Sequence, residues 1–453
     1  MKKFHVITAI LLVFLTTAYA GWEKNLGEEG AFSNNSARET LEGEYIVSST
    51  PQSLIKTDKD GAILWAKNYD FFAGSVEQTT DSGYILTGSK INALCLFKTN
   101  SAGDTQWSRT YRVRQAESCG RCVKQTSDGG YIAVGEAQEL DSIQGASKSV
   151  YLVRTKANGD TLWTRTYGGA VTDANYREGL SVIECPSGGY IVSGIKGNWE
   201  AFYHNLDLWL FKAGNDGKIV WDKEYKASES NDYDEAGNCV CMTDDGGYIL
   251  TGYKTNPDST AEKLIWLLKT DSLGDTLWTR SLGTGVGNSL CQTSDGGYII
   301  TGEPYSLIKT NASGDTLWTH KYGGEGNSVR ETSDSGYIIS ATISGSDNKP
   351  YLWLIKTDSM GIVSGIEEPA PVTPVTQPDW QIVTTIGPHI TLRALEGLVP
   401  LNLAVFDASG RKVDEIHLAG QTLTWGEGYR PGVYFIRIEG DASATTHKVI
   451  LIH

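Results

Sequence analysis

Residues 306–341 read SLIKTNASGDTLWTHKYGGEGNSVRETSDSGYIISA, and this one stretch holds four short runs of strand-forming sequence. The runs SLIKT, DTLWTHKY, NSVRET and GYIIS are five to eight residues long and rich in β-branched and aromatic residues. Asn311 to Asp315 separates the first two and Asp334 to Gly336 the last two. Asn, Asp, Ser and Gly reach positive φ at little cost, so both separators predict tight hairpins. Helical periodicity is absent. In the order a, b, c, d, the repeating unit is NSVRET, GYIIS, SLIKT and DTLWTHKY, completed across neighbouring copies.

Working outward, the opening of strand b recurs at Tyr45, Tyr84, Tyr131, Tyr190, Tyr248, Tyr298 and Tyr337, spaced by 39, 47, 59, 58, 50 and 39 residues. The Trp of strand d recurs at Trp22, Trp65, Trp107, Trp163, Trp221, Trp278 and Trp318, with Lys24, Lys67, Arg109, Arg165, Lys223, Arg280 and His320 two residues on. There are thus seven openings and seven endings, out of phase. The first ending, GWEKNLG at 21–27, precedes the first opening, and the last copy, YLWLIKTDSMG at 351–361, lacks an ending. Residues 21–27 are therefore expected to supply the outer strand of the last unit. Strands b and c are apolar on both faces, as in Leu352-Trp353-Leu354-Ile355, so each small sheet must be covered by its neighbours. Strand d alternates Trp163, Arg165 and Tyr167 with Leu162, Thr164 and Thr166, which suits an outer edge. Tandem four-stranded units of this length predict an all-β, seven-bladed β-propeller of four-stranded blades, closed by the N-terminal strand.

The ends of the chain carry different messages. Residues 1–20 hold Lys2 and Lys3, an apolar run and Ala18-Tyr19-Ala20, the pattern of a secretory signal peptide too short to make a good spanning helix. The propeller is assigned to 21–365, a Pro-rich linker with Pro369, Pro371, Pro374 and Pro378 to 366–379, and a small C-terminal β-sandwich to 380–453. A formal charge of −15 without basic runs disfavours nucleic acid, and no transmembrane segment is expected. Seven cysteines are too few and odd in number for a dense disulfide framework. Cys119 and Cys122 form a CxxC. Cys122 and Cys239 stand nine residues before a repeat Tyr, where the other copies place Ser36, Ser75, Ser181, Ser289 and Ser328. That predicts a small buried residue on the inner strand, with an isolated disulfide as the alternative.

The a–b and c–d turns fall on one end of the ring, the b–c and d–a connections on the other. Insertions gather on the second end, in three consecutive blades: after Gly135, Gly194 and Gly252, and between blades at 170–179 and 226–237. They read as long loops, where binding tends to sit on a rigid scaffold. Trp199, Phe202, Tyr203 and His204 lie in one of them, with Asp173, Tyr176, Arg177, Asp232, Tyr233 and Asp234 on either side. Aromatics beside carboxylates suit sugar-ring stacking or a protein partner. The alternative is that Trp199 and Phe202 pin their own loop. Asp81, Asp128, Asp245, Asp295 and Asp334 read as turn formers, and no metal or cofactor set stands out. With His204 and His320 alone in the propeller, no Ser-His-Asp arrangement or phosphate loop is present, so catalytic residues are not assigned.

The C-terminal segment carries Val405-Phe406-Asp407 with Gly410-Arg411-Lys412-Val413, then Pro431-Gly432-Val433-Tyr434-Phe435, and finally Lys448-Val449-Ile450-Leu451. In that order at the C-terminus, these motifs resemble the sorting domain of cargo proteins of the type IX secretion system of Bacteroidetes and related bacteria. The usual Asn-Pro near the start of such domains is missing, and the chain ends in His453 where a basic residue is common. The resemblance implies Sec export, passage through the outer membrane by that machinery, and release or anchoring at the surface. The repeats themselves resemble secreted bacterial propellers, and KAGNDGKIVWDK at 212–223 resembles the quinoprotein type of repeat without its cofactor constellation. The expectation is a secreted or cell-surface propeller that binds a glycan or protein. The alternatives are a polysaccharide hydrolase or lyase and a structural surface-layer component.

Overall fold

The computed structural model describes residues 21–28, 35–49, 54–114, 116–141, 145–168, 175–200, 203–226, 234–256, 258–304, 306–345, 347–363, 380–382, 386–394, 401–407, 411–418, 422–438 and 447–452. The expected signal segment and the linker lie outside them. Contacts divide the chain into two compact units, one running to Ile366 and one from Glu367. The described strands of the first unit form seven antiparallel ladders of four strands. Their inner strands are Ala37–Glu39, Phe72–Gln78, Ala116–Gln125, Asn175–Glu184, Glu235–Met242, Val286–Gln292 and Glu325–Glu331, which number blades 1 to 7. Blades 3 and 4 are further joined by one parallel bridge between Lys148 and Tyr176.

Closure is made as the split repeat predicts. Trp22–Glu28 pairs antiparallel with Pro350–Thr357, setting Trp22 opposite Lys356 and Glu28 opposite Tyr351. The Trp22 ring then meets Tyr45 of blade 1 edge-on at 5.6 Å. The other six seams repeat this Trp–Tyr contact with centroids 5.7–6.3 Å apart. Each Trp also lies across the glycine of the next blade's c–d turn. A Cβ on Gly61, which sits at φ +81°, would fall 2.6 Å from the Trp22 ring, so this position excludes a side chain on two counts.

On the turn face five blades share one device. Asp81, Asp128, Asp245, Asp295 and Asp334 each accept from a Thr hydroxyl at 2.5–2.7 Å and from a Gly N–H at 2.9–3.1 Å, which fixes the a–b turn. Each also takes an ion pair at 2.6–2.9 Å from a buried cation of strand c: Lys98, Arg154, Lys269, Lys309 or Lys356. The carboxylates are thus counter-ions as well as turn formers, a second role invisible without the ladder.

A further ring ties neighbouring blades together. The residue six before each repeat Tyr ends strand a and accepts the backbone N–H of the preceding blade's turn. Gln78 takes Leu41, Gln125 takes Thr80, Glu184 takes Ser127, Gln292 takes Asp244, Glu331 takes Ser294 and Glu39 takes Ser333, at 2.7–3.0 Å. The Glu39 contact closes the circle across the seam between blades 7 and 1. Blade 5 places Met242 in this slot, and the turn it faces in blade 4 has Pro186 where the donor would be. Proline has no N–H, so the missing acceptor and the missing donor coincide.

One expectation needs correction. The insertions after Gly135, Gly194 and Gly252 are not loops but extensions of the b–c ladder: Tyr131–Asp141 with Gly145–Thr155, Tyr190–Glu200 with Tyr203–Ala213, and Tyr248–Asn256 with Ser259–Thr270. In blade 2 the same connection is the two residues Ile91 and Asn92. Strands already paired along their length extend the ladder at little added cost of chain closure, so inserted sequence lengthens the hairpin.

The second unit is a two-sheet β-sandwich. Trp380–Ile382, Ile390–Ala394 and Thr422–Trp425 form one sheet. Ile386–Gly387, His447–Leu451, Gly432–Ile438, Leu401–Asp407 and Lys412–Leu418 form the other. Between them lie Ile390, Leu392, Leu403, Val405, Trp425, Ile436 and Val449. The motif residues fall on adjoining strands, with Asp407 opposite Tyr434, Phe435 opposite Lys448 and Gly432 opposite Leu451. Asp407 accepts from the Arg411 backbone and its guanidinium at 3.1 and 3.0 Å, and Lys412 pairs with Glu415. Gly410 lies outside the described residues, and Pro431 directly precedes the strand that carries Gly432 and Val433.

Candidate functional site

Three long hairpins from blades 3, 4 and 5 stand side by side on one face of the ring. The blade 4 hairpin sets Trp199 opposite His204 and Glu200 opposite Tyr203 at its end. Phe202, Asp173, Asp232 and Tyr233 lie outside the described residues. Arg177 is half-buried and opposes Lys196 in the ladder. Asp234 accepts the Leu206 N–H at 3.2 Å, and its own N–H donates to Thr255 Oγ1 at 2.9 Å. It therefore fastens the blade 5 hairpin to that of blade 4. Beneath, Ile195, Leu206 and Ala236 form a small apolar cluster flanked by Tyr176, Leu180 and Tyr253.

Tyr176 belongs to a charge cluster that reading the residues in linear order does not bring together. Its hydroxyl donates to Glu178 Oε2 at 3.0 Å and accepts from Lys148 Nζ at 3.2 Å. The same ammonium lies 3.2 Å from Glu178 Oε1 and 3.6 Å from Glu136 Oε1. Arg121 Nη2 completes the set, 3.2 Å from each of the two carboxylates. Two cations thus enclose two carboxyl groups. Burial, and then the hydrogen bond and negative charge of Glu178, push Glu136 up to about 7. Burial also opposes charge on Glu178, but the Glu136 hydrogen bond, Lys148, Arg121 and Tyr176 hold it down. The pair therefore keeps one shared proton well above the ordinary carboxylate range.

This cluster opens onto the central channel, a cavity of about 330 Å³ lined by strands a. In blades 3 to 7 the ladder between strands a and b skips one residue: Arg121, Leu180, Asn238, Asn288 and Asn327. Each is the extra residue of a β-bulge, and the bulge turns its side chain to the channel wall. The glycine before the bulge allows the blades to approach, since a Cβ on Gly120 would lie 2.0 Å from Thr87 Oγ1. Asn238 and Asn288 donate to the Gly287 and Gly326 carbonyls of the next blade at 3.0 Å, so they are wall fasteners. Arg121 stands in the same slot with a charge. Its departure from the repeat is the signal that aligning the copies by slot makes available.

One position further on, the small-residue slot behaves as a second set of fasteners. Ser36, Ser328 and Ser289 accept the backbone N–H groups of Val76, Ala37 and Val329 at 2.8–3.3 Å. Cys122 and Cys239 instead donate to the carbonyls of Val182 and Leu290. All seven cysteines are free thiols, Cys119 and Cys122 included. A larger depression of about 860 Å³ lies on the turn face between blades 3 and 4, where Asp128 and Arg154 already neutralise each other. Among the described residues no group of His, Cys, Asp and Glu has the arrangement of a metal site, and no helix is long and apolar enough to cross a membrane.

The chain matches no family model and no curated protein sequence. Solved structures similar to it include the Dos1 propeller, at 9% identity and TM-score 0.45 over 70% of this chain and 76% of that one. Raptor of Chaetomium thermophilum is similar at 10% identity and TM-score 0.48, over 75% of this chain and 30% of that one. PorZ, a surface component of the type-IX secretion system of Porphyromonas gingivalis, is similar at 9% identity and TM-score 0.41, over 96% of this chain and 58% of that one. At such likeness none of them carries a function across.

Proposed function

We propose that this protein is a β-propeller interaction module that recognises a glycan or protein ligand with the hairpin face of blades 3 to 5. The observation that supports this is the grouping of three lengthened hairpins on adjacent blades, while blade 2 makes the same connection in two residues. A ring whose other face repeats the same contacts has no structural need for that asymmetry. The hairpin of Trp199, Tyr203 and His204 is the recognition element, and binding rather than catalysis is its role. The N-terminal segment and the sandwich are delivery elements: a Sec signal, then a sorting domain read by the type IX machinery. What supports the latter is that its three sequence motifs lie on adjoining strands of one sheet.

A second reading, a polysaccharide hydrolase or lyase, is favoured by one feature. Glu136 and Glu178 share a proton near neutrality beside the channel, as an acid–base pair would. A glycan array probed with the chain from residue 21 separates the two. Saturable binding without product, lost in Trp199→Ala/Tyr203→Ala at an unchanged melting temperature, is the expected result. Product release abolished by Glu136→Gln would establish the second reading instead, and binding that survives the double substitution contradicts the hairpin site.

A further inference from the structure

Towards its turn-face end the channel carries a different charge pattern. The residue seven before each repeat Tyr is an arginine in blades 7 and 1, Arg330 and Arg38, and both line the channel cavity. These blades are neighbours across the seam, and Arg330 lies within electrostatic reach of Arg38. The same slot holds Glu77 and Lys124 in blades 2 and 3, which are paired to each other. In blades 4 to 6 it holds Ile183, Cys241 and Cys291. The level therefore carries two guanidinium charges in excess.

No carboxylate pairs with either: Glu77, whose charge reaches Arg38, is held by Lys124. Arg38 donates through Nη1 to the Ala37 carbonyl at 2.7 Å. Arg330 donates through Nη1 to Ser289 Oγ and the carbonyls of Leu290 and Val329 at 2.6–3.3 Å. Among the described residues, Nε and Nη2 of both have no protein acceptor and neither guanidinium has a carboxylate. Glu39 and Glu331, next along the strands, alternate to the other side and are filled by Ser333 and Ser294. The cavity's own carboxylates, Glu178 and Glu325, stand five positions up strand a, about 15 Å away along the backbone.

The thiols do not serve either. Burial pushes those of Cys241 and Cys291 up, so they stay protonated beside Arg330 near neutral pH. Burial, and then the Arg330 charge, push Arg38 down to about 10, still well above neutrality. Two like charges facing a shared low-dielectric cavity, with open N–H donors, are an arrangement that an anion relieves. Guanidinium groups match planar and tetrahedral oxyanions with paired N–H donors. At about 330 Å³ the cavity has the volume of a small-ligand site.

We propose that the channel between Arg38 and Arg330 binds a small oxyanion, a carboxylate or a phosphate, in the guanidinium N–H groups that the protein leaves open. The site is independent of the hairpin face. A net charge of −15 repels anions from the surface at large, so saturable binding points to the channel.

The test is isothermal titration calorimetry on the full chain from residue 21, prepared in chloride, with inorganic phosphate and with glucuronate at constant ionic strength. One-site binding of at least one of them is expected, and the one that binds better tells a tetrahedral from a planar ligand. Arg38→Gln and Arg330→Gln each weaken it by about 10- to 100-fold, the loss of charge-assisted hydrogen bonds. In chloride alone, Arg38→Gln melts no lower than the parent, because it removes a repulsion. Absence of saturable heat with both anions, or an affinity in either variant unchanged from the parent, overturns the proposal. So does an Arg38→Gln chain that fails to fold, which would make Arg38 a structural fastener.

Discussion

The two faces of the ring are built from the same seven repeats, yet they differ in kind. On the turn face the blades share their devices: an Asp that closes the turn and neutralises a buried cation in five of them, a Trp across a glycine in all seven, an acceptor that reaches back to the preceding blade in six. On the hairpin face the blades diverge, and the divergence gathers in blades 3 to 5. Repetition marks the contacts that hold a ring together. Departure from it marks surface free to take another role.

The sharpest way to break this comparison is to remove the seam. Deleting residues 22–28 exposes an unpaired edge on blade 7 and takes away the Trp22–Tyr45 contact, so the propeller should lose its cooperative melt. Trp22→Ala alone should cost about 2–4 kcal/mol, measured by urea unfolding, since the half-buried ring and its hydrogen bond to the Lys59 carbonyl both go. An unchanged melt in the deletion would mean that the ring does not depend on its seam.

The two faces should also answer pH in opposite directions. On the turn face the Arg154 hydrogen bond, with that of Thr126, holds Asp128 down to about 2, and Asp245 and Asp295 sit at about 2 because hydrogen bonds from Thr and Lys outweigh burial. A depressed folded-state pKa gives stability above the unfolded value of about 3.9 that is lost as pH falls towards about 2. On the hairpin face Glu136 is raised to about 7. That contribution is present below the unfolded value of about 4.3 and is lost as pH rises through about 7. Melting temperature against pH should therefore decline on the acid side in every variant with these aspartates, while Glu136→Gln flattens only the decline between about 4.3 and 7. A slope there that persists in Glu136→Gln would remove the shared proton.

The smallest effect is the most specific. Pro186→Ser restores a donor and Met242→Glu restores an acceptor in the one seam that lacks both. Each alone should change stability little, and together they should couple by about 0.5–1.5 kcal/mol in a double-mutant cycle. Zero coupling would show that the six equivalent contacts are incidental.

Much of the ring was legible because its contacts recur at fixed slots. Seven Tyr and seven Trp positions gave the blades, and the offset between Trp22 and Tyr337 gave the closure. The sites of insertion were legible too, but not their form. Sequences such as EAQELDSIQGASKS have no strong strand pattern, and their pairing is imposed by the ladders they extend. The charge cluster was hidden for another reason. Arg121, Glu136, Lys148 and Glu178 come from four strands of two blades, and no linear motif joins them. Of the expected ligand residues, Asp234 proves to be fastened into the fold and Tyr176 to serve the cluster.

The most direct test of the account replaces residues 199–204 at the end of the blade 4 hairpin with Asn-Gly, a two-residue turn that the flanking Asn198–Asn205 pair can accept. Binding in the glycan array, or to surface proteins presented alongside it, should disappear while the melting temperature shifts by no more than about 2 °C. Undiminished binding in this variant would contradict the claim that the hairpin face is where this propeller meets its ligand.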